Sequence, residues 1–123
     1  MSDSVFVIFY VEDPAASAAF YTPLLGREPV ESSPTFVLYA LAGGLMFGLW
    51  GRAGVEPAVE AAAGACELTL PVGSPDEVDA TFKVWTAKGV PMLQAPVRLD
   101  FGHTFTAVDP DGHRLRVFSP AMS

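Results

Sequence analysis

Hydrophobic residues are distributed so that the chain divides into two halves of similar pattern. In the first half, the apolar run Val5 to Val11 predicts a strand, and Asp13 and Pro14 then predict the start of a helix. Gly26 is a suitable end for that helix. Three further strands are indicated between turn-forming residues, near 28–31, 35–41 and 45–50.

The second half repeats this order of elements. A strand is indicated over 66–72, and Ser74 can cap a helix that continues to Gly89. Three strands follow, near 92–98, 104–108 and 113–118. The repeated pattern predicts an α+β fold of two tandem βαβββ modules. We predict one domain spanning 1–123, with module one at about 4–50, a connector at 51–65 carrying a short helix near 59–63, and module two at 66–119.

Composition narrows the class of protein. Half of the 123 residues are hydrophobic and 17% are charged, which supports a sizeable core. The net charge of −7 argues against nucleic acid as a partner, because phosphate binding needs a basic surface. No apolar run reaches the ~20 residues that a membrane helix needs, and the N-terminus lacks the basic start of a secretory signal. These features predict a cytoplasmic protein. The single cysteine, Cys66, lies among apolar residues, so we predict that it belongs to the core.

Two motifs carry a resemblance to a known family. The strand-to-helix segment VEDPAASAAFYTPLLG and the C-terminal segment DPDGHRLRVF, in a duplicated βαβββ frame, resemble the vicinal oxygen chelate superfamily of glyoxalase I, extradiol dioxygenases and bleomycin resistance proteins. The resemblance implies curved mixed sheets around a concave pocket. It also implies a homodimer with pockets at or near the subunit interface.

The metal ligands that this superfamily uses are replaced in this chain. The resemblance implies a donor such as histidine near the start of the first strand of each module and a glutamate in the last strand. Those positions fall at Phe6, Glu67 and Arg116. A divalent cation needs several converging oxygen or nitrogen donors, and arginine repels a cation. We therefore predict no metal, no cofactor and no catalytic residue.

Three segments are similar to a more specific group within the superfamily. FGLWGRAGVEP, DEVDATFKVWTAKG and FGHTFTAVDPDGHRLRVF resemble a phenazine-antibiotic resistance protein. Proteins of that kind are metal-free dimers that bind an aromatic drug without converting it. The resemblance implies a small aromatic ligand, phenazine-like or bleomycin-like, as the partner.

Strand alternation assigns candidate ligand-binding residues to the pocket of module one. If Phe6 lies on the pocket face, Tyr10 shares that face, and so do Gly48 and Trp50 on the fourth strand. A register shifted by one residue would instead place Leu45, Phe47 and Leu49 there. We predict that Trp50 stacks on a planar ligand in open space beside Gly48, although a core or interface role for Trp50 is the alternative.

Candidate residues in module two are fewer and more polar. Arg116 has three alternatives: binding a ligand carboxylate, pairing with Glu67 across the sheet, or exposure on an outer face. His103 and Phe101 precede a predicted strand, in a loop that we expect at the pocket mouth. Trp85 lies on the apolar stripe of its helix, so we predict that it belongs to the core.

Three functions remain open from the sequence. We favour a non-catalytic protein that sequesters a planar aromatic antibiotic. The first alternative is a metal-dependent glyoxalase-type or dioxygenase-type enzyme with a non-standard ligand set, such as Glu67 with His103 and a residue of a partner chain. The second is a structural or regulatory module whose pocket is filled by side chains.

Overall fold

The computed structural model describes residues 4–120, which form two compact units with the same order of elements. The boundary between the units falls after Ala62, inside the predicted connector. We call the units module one and module two and describe each by itself. The outermost parts of the predicted single domain, 1–3 and 121–123, lie outside the described residues.

Module one is a four-stranded mixed sheet with one helix. Its sheet has the order β1-β4-β3-β2, in which β1 and β4 are parallel and the other pairs are antiparallel. The elements are β1 (Val5–Val11), α1 (Pro14–Leu25), β2 (Glu31–Ser32), β3 (Phe36–Ala40) and β4 (Leu45–Gly51).

Module two repeats this topology in the order β5-β8-β7-β6, with β5 and β8 parallel. The elements are β5 (Glu67–Pro71), α2 (Pro75–Ala87), β6 (Met92–Leu99), β7 (Gly102–Val108) and β8 (Arg114–Pro120). The prediction of an α+β fold with two βαβββ modules and mixed sheets is therefore confirmed.

Local capping interactions explain why both helices begin where the sequence predicts. The Asp13 carboxylate accepts a hydrogen bond from the Ala15 backbone N–H at 3.0 Å, and the Ser74 hydroxyl accepts one from the Glu77 N–H at 3.2 Å. Each bond satisfies an N–H group that the first helical turn leaves free. Gly26 ends α1 with a φ of 65°, in the left-handed region that glycine tolerates best.

Aromatic side chains fill the core between α1 and its sheet. The Phe47 ring contacts Phe9 and Tyr21 edge-on, each with ring centroids 5.1 Å apart, and Tyr39 stacks at 6.2 Å. Phe20, Leu24 and Leu25 of α1 are only half-buried, whereas Ser17 and Tyr21 are buried. The helix is oriented so that Tyr21, rather than these apolar residues, meets Phe47.

The core of module two is built around Phe105 on β7. The rings of Phe82 and Trp85 on α2 each lie 5.4 Å from it, and Leu115 and Val117 of β8 are also buried. The prediction that Trp85 belongs to the core is confirmed, since this side chain is 4% exposed.

Two sequence predictions around the connector are wrong. Cys66 is exposed rather than buried, because it lies outside β5, which is itself an edge strand of its sheet. Residues 59–63 form no helix, and a short 3-10 turn at Arg52–Gly54 is the helical element found there. The Arg52 guanidinium donates a hydrogen bond to the Ala61 carbonyl at 3.1 Å, which links the two ends of this segment.

Strand pairing decides between the two registers that the sequence left open for β4. Tyr10 pairs with Trp50, and Ile8 pairs with Gly48. Trp50 and Gly48 therefore share the sheet face of Tyr10, while Phe47 points toward α1 and is fully buried.

The expected open space beside Trp50 is absent, because neighbouring side chains occupy the notch that Gly48 leaves. A Cβ atom at Gly48 would lie 2.6 Å from Ile8 Cδ1 and 2.9 Å from Phe36 Cζ. Glycine is therefore needed here so that Ile8 and Phe36 can pack against the backbone of β4.

Replacing Gly48 by alanine should destabilise the protein by about 1–3 kcal/mol, because Ile8 and Phe36 must move to admit the methyl group. Urea unfolding followed by circular dichroism would measure the change. Gly54→Ala is the matched control, since a Cβ there meets nothing within 4 Å, and its effect should stay within about 0.5 kcal/mol. Equal stabilities for both variants would contradict this account of Gly48.

Candidate functional site

The candidate residues of module one lie on the face of its sheet that points away from α1, which we call the far face. Phe6, Tyr10, Gly48 and Trp50 share it by strand register. The rings of Tyr10 and Trp50 meet edge-on with centroids 6.1 Å apart. Phe6 is 55% exposed on β1, an edge strand. This face is apolar and aromatic, and Trp50 is half-buried on it.

Phe36 completes the aromatic group, although the sequence did not single it out. It pairs directly with Trp50 between β3 and β4, so both side chains lie on the same face. The alternation of apolar residues along β3 could have indicated which face Phe36 occupies. A single sequence does not show, however, that Phe36 pairs with Trp50 on the neighbouring strand.

In module two, we use the term far face for the sheet face that points away from α2. This face carries an ion pair between Arg116 and Glu67. The Nε of Arg116 donates to Glu67 Oε2 at 2.7 Å, and the side chains are 14% and 30% exposed. Thr69 donates to the same carboxylate oxygen at 2.7 Å, and the Arg116 guanidinium also donates to the Thr104 hydroxyl at 3.3 Å. Of the three alternatives for Arg116, pairing with Glu67 is therefore realised.

This environment keeps Glu67 ionised. Burial alone would raise the pKa of Glu67, but hydrogen bonds from Arg116 and Thr69, together with the positive charges of Arg116 and Arg114, outweigh it. The pKa of Glu67 consequently lies below its ordinary value.

Phe101 joins this polar group through its ring. The guanidinium carbon of Arg116 lies 5.5 Å from the centre of the Phe101 ring, a cation–π distance. Phe118 meets the same ring edge-on at 5.9 Å. Phe101 is 46% exposed, so one aromatic side chain beside the arginine is available to a ligand.

His103 lies elsewhere than the sequence suggested. It belongs to β7 rather than to a loop, and it pairs with Ser119, on the sheet face that carries Phe105 and packs against α2. Its Nε2 contacts the Asp79 carboxylate of α2 at 2.8 Å. The strand begins two residues earlier than predicted, and its alternation directs His103 away from Arg116.

The residues at the family's metal positions do not fit a divalent cation. Phe6 has no donor atom, and the Oε2 atom of Glu67 already accepts hydrogen bonds from Arg116 and Thr69. Within residues 4–120, no three His, Cys, Asp or Glu side chains are grouped so that they could hold a metal ion. Arg116, at the third of these positions, adds a fixed positive charge that repels a cation.

The two βαβββ modules define a protein of the glyoxalase-like fold, and sequence comparison identifies the family. The model of the Glyoxalase/Bleomycin resistance protein/Dioxygenase superfamily matches residues 4–117. The chain belongs to this superfamily.

Individual relatives agree with this assignment. The phenazine antibiotic resistance protein EhpR of Enterobacter agglomerans is 32% identical over 114 residues, which cover 89% of this chain and 86% of EhpR. The solution structure of protein ATC0852 from Agrobacterium tumefaciens is 52% identical with a TM-score of 0.88, covering 99% of this chain and all of that one. A glyoxalase-related enzyme from Fulvimarina pelagi has a TM-score of 0.83 at 23% identity, covering 97% of this chain and 88% of its own, and shows the fold alone.

The ion pair predicts a specific dependence of stability on pH. Because the folded-state pKa of Glu67 is depressed, its stabilisation is present above the pKa of the unfolded chain and is lost as the pH falls through the lower folded-state value. The difference in melting temperature between the native protein and Glu67→Gln should therefore be largest near neutral pH and should shrink below about pH 4.

Glu60→Gln is the matched control for this experiment, since Glu60 is an exposed carboxylate in the connector. Melting curves at intervals from pH 7 to pH 3 would compare the three proteins. A Glu67→Gln difference that stays constant over this range would contradict the role of the charged pair.

Proposed function

We propose that this protein binds a planar aromatic small molecule, of the phenazine antibiotic class, and protects the cell by sequestering it in the cytoplasm without chemical conversion. The observation that carries the proposal is the 32% identity with a phenazine antibiotic resistance protein over 89% of the chain. The aromatic far face of module one and the replacement of the family's metal ligands support it.

The aromatic far face offers the interaction that such a ligand needs. Tyr10, Phe36 and Trp50 lie on one face, and Trp50 keeps part of its ring accessible. Stacking on an aromatic ring contributes about 0.5–1.5 kcal/mol beyond the burial of area. Because Ile8 and Phe36 fill the notch at Gly48, the ligand would lie across these rings rather than in a slot between them.

The charge arrangement of module two supports binding rather than metal-assisted catalysis. In metal-dependent enzymes, a bound cation contributes to catalysis by polarising the substrate. Here Glu67 and Arg116 neutralise each other at 2.7 Å, and Phe6 cannot contribute a ligand. Candidate ligand contacts in module one are Trp50, Tyr10 and Phe6. Phe101 and Arg116 form a separate candidate surface in module two.

Truncating Trp50 should weaken phenazine binding, and truncating Trp85 should not. Trp50→Leu removes a stacking surface, so the dissociation constant of this variant for phenazine should be about two- to tenfold higher than that of the native protein. Trp85→Phe alters the core of module two, where Trp85 contacts Phe105, and should bind phenazine as the native protein does. Isothermal titration calorimetry would measure both.

Two further measurements on the native protein distinguish sequestration from catalysis. Binding should persist after treatment with EDTA, and phenazine recovered from the complex should be chemically unchanged. Loss of binding on chelation, or turnover of the bound phenazine, would favour the metal-dependent enzyme. Equal affinities for the two tryptophan variants would contradict the placement of the ligand at Trp50.

We also propose that the binding form is a homodimer. Val5 and Phe6 are 62% and 55% exposed on β1, an edge strand of its sheet. An exposed apolar strand edge favours pairing with a second chain.

Sedimentation equilibrium should accordingly give twice the chain mass of 13.0 kDa. Phe6→Lys should shift the protein toward the single-chain mass, because it places a charge on this edge. Val84→Lys on α2 is the control, since Val84 is an apolar residue that is 52% exposed on a helix rather than on a strand edge. A protein that sediments as a single chain at high concentration would contradict the proposal.

A further inference from the structure

A hollow on the far face of module two contains polar groups that the ion pair leaves unused. Its volume is about 280 Å³. The residues that line it are Leu93, Gln94, Leu99, Thr106, Arg114 and Arg116. They come from β6, β7 and β8 of a single sheet, so the hollow belongs wholly to module two.

The hollow has an excess of positive charge. Arg114 and Arg116 occupy alternate positions on β8 and so project from the same face. Glu67 forms its salt bridge with Arg116, and within residues 4–120 Arg114 has no carboxylate within ion-pair distance. One guanidinium charge therefore remains uncompensated here, although the whole chain carries a net charge of −7. A local cationic group in an acidic protein is a candidate anion site.

Thr106 adds a hydroxyl donor that the described residues leave without a partner. It pairs with Arg116 between β7 and β8, so it lies on the same face. The side chain is 2% exposed, and its Oγ1 forms no hydrogen bond with any described residue. Its neighbour Thr104 behaves differently, since that hydroxyl donates to the Val117 carbonyl at 2.8 Å. Buried hydroxyls without partners are rare, so the Thr106 hydroxyl calls for a partner such as a ligand group or an ordered water.

Aromatic and apolar side chains adjoin these polar groups. Phe101 lies 5.5 Å from the Arg116 guanidinium, and Phe118 lies 5.9 Å from Phe101. Leu93 on the wall of the hollow is 54% exposed. A ligand that combines a flat ring with a negative group would satisfy both kinds of surface.

We infer that this hollow binds the carboxylate of a planar aromatic ligand. Arg114 supplies the unpaired charge, Thr106 donates its hydroxyl, and the N–H groups of Arg116 that face neither Glu67 nor Thr104 complete the site. The inference rests on the proposed function and deepens it, because it narrows the ligand class that module two would bind from planar aromatics to aromatic carboxylates, at a surface other than the one at Trp50.

Two probes of the same shape test this inference: phenazine-1-carboxylate and its neutral amide, phenazine-1-carboxamide. Calorimetry at pH 7.5 should show the native protein binding the carboxylate about tenfold more tightly than the amide, since a charge-assisted contact is made by the acid alone. Arg114→Gln and Thr106→Val should each reduce that preference several-fold and leave the affinity for the amide unchanged.

Thr106→Val is an informative variant because it separates stability from binding. Valine keeps the shape of threonine and removes a buried hydroxyl that has no partner, so the melting temperature should stay equal or rise. A loss of carboxylate affinity without a loss of stability is the signature of a ligand contact. A residue with a purely structural role would not give this combination.

Arg98→Gln is the matched charge control. Arg98 pairs with His103, so it lies on the opposite side of the sheet, and its replacement changes the net charge as Arg114→Gln does. If Arg98→Gln and Arg114→Gln reduce carboxylate affinity equally, long-range attraction explains the preference and the inference is overturned. Equal binding of acid and amide by the native protein overturns the inference and leaves phenazine binding intact. Failure to bind either compound overturns both proposals.

Discussion

The structure of the candidate site depends on one constraint: a largely buried arginine must find a carboxylate. Arg116 is 14% exposed, and the cost of burying a guanidinium without a partner is several kcal/mol. Glu67 meets this need at 2.7 Å. Once engaged, the carboxylate is held ionised by a cation and a hydroxyl, and it can no longer serve as a free metal ligand. One arginine in the last strand therefore determines how the neighbouring carboxylate can act.

Much of the fold could be predicted because its determinants are local. Asp13 and Ser74 cap their helices through bonds to residues two or three positions away. The DPDG turn works in the same way, since the Asp109 carboxylate accepts hydrogen bonds from the Asp111 and His113 N–H groups. Such signals lie within a few residues of one another, so a single sequence contains them. The duplication of the pattern then implied two equivalent modules.

The parts of the site that could not be predicted depend on pairing between distant segments. The pairing of β7 with β8 determines that His103 faces α2 and that Thr106 lies on the face of Arg116, and no local signal in the sequence marks that pairing. The register of β4 determines whether Trp50 or Phe47 reaches the far face. The burial of Cys66 was predicted wrongly for a related reason, because composition does not show that a strand lies at the edge of its sheet.

The residues Phe6, Glu67 and Arg116 at the family's metal positions have a consequence for which ligands this scaffold can favour. A bound divalent cation attracts the oxygen atoms of many substrates and offers each of them an adaptable coordination position. Guanidinium groups carry a single charge and direct their N–H donors within a plane, so they favour planar anions over neutral carbonyls. Since Glu67 pairs with Arg116, the positive charge that remains on this face is that of Arg114. Under the proposed function, this arrangement would recognise a ligand reversibly rather than activate one of its bonds.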